Sequence, residues 1–438
     1  MRRGSSMHSR QADRDMSIDD RPQAIGITFF AFRYSIFKNI MVECNRTQQN
    51  EYSKCSCTAS YVAEHVQESY MNHFKRTIFA LVVATFFIAT PLFSQAIEEQ
   101  RPQSTTSAVD ANGRVVTLPG VPKKVIVAGK AAIMPADAFF LFPEAREIMQ
   151  ALSKTDQGLG DFYNLIMPEL KDSKRIPQNA SAEEIASYNP DLVLMKTSNF
   201  EGTAKKLDQL GIRSFTMDLE SAEAWNDELL QLGKLLGNEA RAAEITALYD
   251  SRKEAVEKQT ATLQEADKPT VLVLQFSVAD GIAAFEVCPD SWIQTYLVEA
   301  AGGIPVWKGA GLATKTWTKV SFEQIAVWNP DYIYIVSYKT PADKFLTQIY
   351  STPNWAGLKA VQTHRVRTTP ADYVSYAQPD SRWILHLQWL AHDLHPQLFP
   401  EFDMEQEIAS FYQDFYKVEN MEVIGTLLDA YRASIAKN

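Results

Sequence analysis

One pattern of fourteen residues occurs twice in this chain, starting at residues 181 and 321. Residues 181–194 and 321–334 share Ser, Glu, Ile, Ala, Asn, Pro and Asp in the same order. In each copy a serine precedes an acidic first turn, which favours the start of a short helix. Asn-Pro ends that helix, because proline disfavours helical backbone in the residue before it. The β-branched or aromatic run that follows predicts a buried strand, so the repeat predicts two similar α/β lobes.

Composition excludes several classes of function. The 438 residues are enough for two or three domains, and the net charge of −10 argues against a nucleic-acid partner. Three of the four cysteines (Cys44, Cys55 and Cys57) precede residue 71, which leaves Cys288 alone in the globular part. We therefore expect neither a disulfide nor a cysteine-based metal site there.

Residues 71–96 have the pattern of a secretory signal peptide. Met71 and a basic pair are followed by an almost wholly apolar run at 77–90 and by a small-x-small cleavage site, Ser94-Gln-Ala96. Because signal peptides are N-terminal, the simplest interpretation is that Met71 is the true start and 1–70 a mis-called, disordered extension. The alternative is a membrane-spanning signal anchor, for which the apolar run is shorter than the roughly 20 residues required. No cysteine stands directly after the cleavage point, where a lipid would be attached. We therefore expect an exported, periplasmic chain without a lipid anchor.

The mature part divides into four predicted segments. An N-terminal α/β lobe at 97–237 and a C-terminal α/β lobe at 267–400 flank a connecting helix at 238–266, and helices at 401–438 end the chain. Asn238 is the expected cap of a run to Gln264 that has no Gly or Pro, which predicts a helix of roughly 40 Å. The alternative is that this helix is one more surface helix and not a connector.

Catalytic motifs are absent from the sequence. It contains no Gly-x-Ser-x-Gly, no HExxH, no Walker motif and no Cys–His pair with metal-ligand spacing. His386 and His392 are six residues apart, on nearly opposite faces of a helix, and His395 directly precedes a proline. These are better read as surface or capping histidines than as metal ligands. We therefore predict no catalytic residue, no metal site and no resident cofactor.

Polar and aromatic residues follow the predicted parallel strands, at the carboxyl ends where open α/β sheets bind ligands. Aromatic rings would give broad apolar contact with a polar edge, and lysines would supply charge for an anionic ligand. For any single residue, packing or solvation is an equally good explanation; as a set facing one cleft they predict a ligand site. The candidates are Lys130, Asp161, Phe162, Tyr163, Lys196 and Ser198 in the first lobe, and Phe276, Trp307, Trp317, Tyr338, Lys339, Asp372 and Tyr373 in the second.

Residues from about 109 to 400 resemble the class III, helical-backbone substrate-binding proteins of bacterial ABC importers. That family serves iron–siderophores, haem, vitamin B12 and, in one subgroup, molybdate or tungstate. The resemblance is carried by the Asp-x-x-Gly-Arg hairpin at 110–114, Lys-Lys-Val-Ile-Val at 123–127, the paired Ser-x-Glu-x-Ile…Asn-Pro-Asp motifs, the 238–264 connector, Ala301-Gly302-Gly303, and Trp383…Trp389-Leu-Ala391…His395-Pro396.

The resemblance implies two Rossmann-like lobes with parallel-rich sheets, joined by one long backbone helix, with the ligand held between them and modest closure on binding. It also implies a monomer that delivers its ligand to an ABC permease and its ATPase in the inner membrane. In the family a surface glutamate on each lobe docks onto permease arginines. By motif position these are Glu183 and Glu323 here; the alternative is that both are simply residues of a helix start.

Three interpretations of function remain open. The first is an iron chelate, siderophore or haem-like, with Tyr163 or Tyr338 as axial contacts for a haem or corrinoid. The second is a molybdate or tungstate oxyanion, held by Lys130, Ser198 and backbone amides at helix starts. The third, of another class, is an exported enzyme or a scaffold for metal-cofactor assembly. The absence of a catalytic group and the intact pocket loops argue against this last one.

Overall fold

A computed structural model of the chain describes residues 105–157, 160–279, 282–310, 316–338 and 342–438. The predicted extension at 1–70 and the predicted signal peptide at 71–96 therefore lie outside the described residues.

The first lobe contains a five-stranded parallel sheet and a separate hairpin. Its strands are β1 (Thr106–Val109), β2 (Val115–Leu118), β3 (Val125–Val127), β4 (Met149–Ser153), β5 (Lys174–Ile176), β6 (Leu192–Lys196) and β7 (Ser214–Met217), and its helices are α1 (Ile133–Phe140), α2 (Ala145–Ile148), α3 (Phe162–Ile166), α4 (Ala182–Ala186) and α5 (Lys205–Gln209). In the parallel sheet the strand order is β5-β4-β3-β6-β7.

Burial explains why the strands of this sheet read as apolar runs. Every residue of β3, β6 and β7 is buried, as expected of parallel strands covered by helices on both faces. The β1–β2 hairpin forms a separate antiparallel pair. Its Asp110 accepts hydrogen bonds from the hydroxyl and amide of Thr216, and these bonds fix the hairpin to β7 at the edge of the sheet.

The second lobe contains a mixed sheet. β8, β12 and β13 are parallel, β10 pairs in parallel with the start of β8, and β9 and β11 extend the sheet antiparallel. Its strands are β8 (Thr270–Ala279), β9 (Ile282–Val287), β10 (Ile304–Pro305), β11 (Thr318–Val320), β12 (Tyr332–Val336) and β13 (Val366–Thr368). Its helices are α8 (Ile293–Ala300), α9 (Phe322–Trp328), α10 (Asp343–Ser351), α11 (Lys359–Gln362) and α12 (Trp383–Leu394), followed by α13 (Met404–Tyr416) and α14 (Met421–Ile435).

One long helix joins the lobes, as predicted. After α6 (Ala222–Leu236), Gly237 adopts a left-handed φ of 68° and ends the helix. The side chain of Asn238 then accepts a hydrogen bond from the Arg241 amide and caps α7 (Glu239–Thr260). Its 22 residues span about 33 Å. Near its start, Arg241 donates to the Leu141 carbonyl of lobe one, and at its end the Thr260 hydroxyl donates to the Ala300 carbonyl of lobe two.

Both copies of the repeat fold in the same way. Ser181 and Ser321 each cap their helix by accepting a hydrogen bond from the amide three residues on, at 3.1 and 3.2 Å. The asparagine of each Asn-Pro pair is left-handed, with φ of 50° at Asn189 and 41° at Asn329. Asparagine tolerates this conformation better than most residues. The helix therefore ends through a left-handed residue, a feature that the proline rule alone did not predict.

The aspartate of each copy ties two parts of its lobe together. Asp191 accepts hydrogen bonds from the amides of Lys123 and Lys124, just before β3, at 2.8 and 3.0 Å. Asp331 accepts from the amide and hydroxyl of Thr270, the first residue of β8, both at 2.8 Å. In each lobe one carboxylate thus holds the start of the first strand of the main sheet against the segment that follows the repeat helix.

Candidate functional site

The carboxyl ends of the two sets of parallel strands meet between the lobes, and we call this region the cleft. Three contacts cross from one lobe to the other there. The Ile293 amide donates to the Glu220 carbonyl at 2.7 Å, and the Gln157 amide group donates to Gln378 Oε1 at 2.5 Å. Gly160, with φ of 107°, lies so close to Tyr373 that a β-carbon would be 3.6 Å from its ring. Residues of both lobes therefore form the walls of the cleft.

Lys196 ends β6 and is held in place by two carboxylates. Its ammonium lies 2.8 Å from Glu220 Oε1 and 3.3 Å from Asp218 Oδ1, and it also donates to the Asp218 carbonyl. Only 6% of the lysine side chain is exposed, against 17% for Glu220. The strand end therefore presents a lysine whose charge is offset by two carboxylates, and not the free cation that we expected from the sequence.

A tight loop follows β3 and positions Lys130. The Asn199 side chain accepts from the Lys130 amide at 2.9 Å and donates to its carbonyl at 3.0 Å. Gly129 has φ of 96°, and a β-carbon there would lie 2.6 Å from the Asn199 side chain, so only glycine fits. Lys130 and Ser198 are both exposed, which leaves their side chains available at neighbouring strand ends.

Three aromatic rings lie in a row on the lobe-two side. The ring centroids of Trp292 and Trp317 are 5.9 Å apart and those of Trp317 and Tyr338 are 6.4 Å apart, both edge to face. All three side chains are half-buried, and so is Tyr373. Burial first, and the negative charge of Glu220 next, raise the pKa of the Tyr338 phenol well above its usual value. Trp292 also directly precedes Ile293, whose amide donates to the Glu220 carbonyl, so the aromatic row begins beside the Lys196–Glu220 pair.

The structure places four of the expected aromatic residues away from the cleft. Phe276 packs in the lobe-two core, with its ring 4.0 Å from that of Phe345, and Trp307 is fully buried in the same core. Phe162 and Tyr163 are buried between the lobes and the C-terminal helices. Asp161 caps α3 and pairs with Arg175 at 2.7 Å. Lys339 lies outside the described residues.

A fully buried ionic cluster joins the lobes beneath the cleft. Arg382 lies 2.8 Å from Asp137 of α1, 3.1 Å from Asp372 and 3.6 Å from Asp380, and all four side chains are 0% exposed. The Tyr163 hydroxyl donates to Asp137 at 2.6 Å, and burial raises the pKa of this phenol well above its usual value. Tyr163 and Asp372 thus belong to the support of the cleft and not to its surface.

Sequence reasoning missed Glu220 and Trp292. Glu220 comes three residues after β7, so applying the strand-end rule to that strand would have found it. Trp292 caps α8 directly after the turn that follows β9, which is an antiparallel strand and therefore outside that rule.

Glu183 and Glu323 occupy matching positions in the first turns of α4 and α9, and both are exposed. Their own backbone amides, followed by the capping serines, lower the pKa of each carboxyl. Both residues therefore carry a full negative charge at neutral pH. They lie on short surface helices, one in each lobe.

Among the described residues, no helix is long and apolar enough to cross a membrane. Within the same residues, no group of three or more His, Cys, Asp or Glu side chains is arranged to hold a metal ion.

The chain belongs to the periplasmic binding protein family. The model of that family, described as "Periplasmic binding protein", matches residues 149–373, which is just over half of the chain. This family consists of solute-binding proteins, so the chain is a binding protein and not an enzyme.

Known relatives and solved structures agree with this assignment. The molybdate-binding protein MolA of Haemophilus influenzae is 24% identical over 299 residues, which cover 62% of this chain and 80% of MolA. The high-affinity heme uptake protein IsdE of Staphylococcus aureus is 23% identical over 52% of this chain and 78% of its own.

A periplasmic solute-binding protein from Veillonella parvula superimposes with a TM-score of 0.59 at 22% identity, covering 74% of this chain and 97% of that one. MolA bound to molybdate gives a TM-score of 0.59 at 18% identity, covering 71% and 98%. The structural matches show the fold alone; they confirm two lobes joined by a long helix.

Proposed function

We propose that this protein captures a metal chelate, an iron–siderophore complex or a haem-like ring, in the cleft and delivers it to an ABC permease with its ATPase. The observation that carries the proposal is the row of Trp292, Trp317 and Tyr338 at the edge of the cleft. Half-buried aromatic rings give a broad apolar surface with polar edges, which suits a large planar or multi-ring ligand. The relationship to IsdE, a heme uptake protein, supports the same class of cargo.

Native mass spectrometry of the purified protein tests this directly. The protein is measured alone and after incubation with ferric siderophores, haemin, cobalamin, molybdate and tungstate. We expect a stable adduct of chelate mass, and at least a tenfold loss of affinity for that chelate in Trp317→Ala. Trp328→Ala is the matched control, because Trp328 is also half-buried but lies on α9. Equal affinity of the two variants would contradict the role of the aromatic row.

A small oxyanion is the second candidate. The loop at Gly129–Ala131 leads directly to the start of α1, where the positive end of the helix dipole favours an anion. Lys130 and Ser198 are exposed beside it, and the match to MolA extends over 80% of that molybdate-binding protein. An adduct of molybdate or tungstate mass that is lost in the double variant Lys130→Ala/Ser198→Ala would indicate that the ligand is an oxyanion and not a chelate.

Glu183 and Glu323 are the proposed contacts with the permease. Two exposed carboxylates, one on each lobe, fix the orientation of the protein on a two-fold partner that presents arginines. Reconstitution of the permease and its ATPase in proteoliposomes provides the test. We expect loaded protein to stimulate ATP hydrolysis, and the double variant Glu183→Ala/Glu323→Ala to lose most of this stimulation. Glu401→Ala/Glu419→Ala, at exposed positions elsewhere, is the control. Unchanged stimulation in the first variant would reject the docking role.

The proposal also places the protein in the periplasm as a monomer. Its support is the family assignment and the signal-peptide pattern at 71–96. Edman sequencing of the exported protein should show a start near Ile97, and light scattering should give the mass of one chain. An uncleaved product that begins at Met1 and remains in the membrane fraction would contradict export by cleavage.

A further inference from the structure

Glu220 is held rigidly at the wall of the cleft. It follows β7 through Leu219, whose left-handed φ of 56° is unusual for a branched residue. The Glu228 carboxyl group stabilises this turn by accepting from the Asp218 amide at 2.8 Å, and the Glu220 carbonyl accepts from the Ile293 amide of lobe two. The Glu220 side chain therefore has a fixed position relative to both lobes.

The surroundings of Lys196 contain more acceptors than donors. The single ammonium group is shared by Glu220 Oε1, Asp218 Oδ1 and the Asp218 carbonyl, which uses its three donors. Within the described part of the chain, Glu220 Oε2 is buried and has no hydrogen-bond partner. A buried carboxylate oxygen without a donor is costly. The pair thus leaves an unsatisfied acceptor at the cleft, and a donor on the cargo would satisfy it.

The aromatic row begins beside Glu220. Trp292, whose ring is 5.9 Å from that of Trp317, directly precedes Ile293, and the Ile293 amide donates to the Glu220 carbonyl at 2.7 Å. A positive group placed here would meet a carboxylate and the faces or edges of aromatic rings together, and both attract cations. The other described cation at these strand ends, Lys130, is exposed, so its charge is screened by solvent.

From this geometry we infer that Glu220 determines cargo specificity: the cleft prefers a chelate that presents a cationic or hydrogen-bond-donating group to Glu220 over an anionic chelate. This inference rests on the proposed chelate function and names its substrate class. It reverses the expectation from the sequence, in which lysines were to attract an anionic ligand.

The test compares three ferric chelates that differ in charge: cationic ferrioxamine B, neutral ferrichrome and anionic ferric enterobactin. Their affinities are measured by quenching of tryptophan fluorescence in wild-type protein, Glu220→Gln and Glu223→Gln. Glutamine keeps the size of the side chain and removes its charge. Glu223 is exposed on α6 and is the control for the same change in net charge. Circular dichroism melting verifies that each variant is folded.

We expect wild-type protein to bind the cationic chelate more tightly than the anionic one. In Glu220→Gln the ratio of the two affinities should fall at least tenfold, while Glu223→Gln keeps the wild-type ratio within twofold. Tightest binding of the anionic chelate, or the same ratio in both variants, would overturn the inference and leave the chelate function standing. If the wild-type protein binds none of the three and no haemin or cobalamin, the chelate function itself fails and the inference fails with it.

Discussion

Arg382 Nη1 lies 2.8 Å from Asp137 Oδ2, and neither side chain has any exposed surface. Asp137 belongs to lobe one and Arg382 to lobe two, so this fully buried ion pair crosses between the lobes. Asp137 sits on the helix that begins at the Lys130 loop, and Arg382 binds Asp372, the residue before Tyr373. The pair thus connects the two walls of the cleft at their base.

Removal of one partner of this pair should destabilise the protein strongly. In Asp137→Ala the guanidinium loses its lobe-one partner, and breaking a buried pair typically costs about 3–5 kcal/mol. Urea unfolding of the variant should show a loss in this range. Glu299→Ala breaks the exposed pair with Lys308, in which the side chains are 42% and 46% exposed, and should cost no more than about 1 kcal/mol. Similar losses in the two variants would show that the buried pair has no special role.

Glu228 should make stability fall as the pH rises from about 4.5 to about 8. Burial raises the pKa of Glu228 from 4.5 to about 8, although the amides of Leu219 and Asp218 partly oppose the shift. Because the folded state binds this proton more tightly than the unfolded state, the resulting stabilisation is complete below about pH 4.5. It is lost as the pH rises towards 8.

Unfolding of wild-type protein and Glu228→Gln between pH 5 and 9 measures this loss. The wild-type free energy of unfolding should fall relative to the variant by up to a few kcal/mol. Asp227→Asn, at the exposed neighbouring position, should follow the wild-type profile. If stability depends on pH in the same way in wild type and in Glu228→Gln, the Glu228 carboxyl has the same pKa in the folded and the unfolded protein.

His386 should make the free energy of unfolding fall at acid pH, in contrast to Glu228. Burial lowers the pKa of His386 from 6.5 to about 4, so the folded protein keeps this ring neutral while the unfolded chain protonates it. The stabilisation is complete above pH 6.5 and is lost as the pH falls to about 4. His386→Leu should flatten this part of the stability profile, whereas His364→Asn, at an exposed position, should leave it unchanged. If stability falls equally in wild type and His386→Leu below pH 6.5, the neutral, buried state of His386 is contradicted.

Gly129→Ala should disturb the loop that carries Lys130. An added β-carbon would lie 2.6 Å from the Asn199 side chain, at a φ of 96° that alanine rarely adopts. We expect a loss of stability of about 1–3 kcal/mol, together with weaker cargo binding. Gly120→Ala is the control, since nothing lies within 4 Å of its added carbon and its φ is not in the left-handed region. Wild-type binding and melting of Gly129→Ala would show that the loop tolerates displacement.

Local signals in the sequence were enough to predict the fold. The serine caps, the Asn-Pro breaks and the buried strands of the repeat all depend on neighbouring residues, and both copies of the repeat fold as these rules require. The same holds for the connector, whose cap Asn238 and glycine stop at Gly237 are adjacent in the chain. Helix starts and helix ends depend on propensity and on capping residues, and both can be read from a short segment of sequence.

The candidate site was less predictable because it depends on distant partners. Whether Tyr163 faces a ligand or the core is decided by Asp137, Arg382 and Tyr416, the last of which is more than 250 residues away. Lys196 reads as a free cation in the sequence, and only the fold shows that Glu220 neutralises it. Strand-end position was therefore a good guide to where the site lies and a poor guide to which side chains are available there.

The paired aspartates Asp191 and Asp331 give each lobe a short mechanical path from its repeat helix to the cleft. Each carboxylate links the end of a surface helix to the first residues of a strand, and that strand runs directly to the cleft. In lobe one the strand is β3, three residues and roughly 10 Å long, and the Lys130 loop follows it at once. If Glu183 docks on the permease as proposed, a displacement of its helix is transmitted through one short strand to the Lys130 loop.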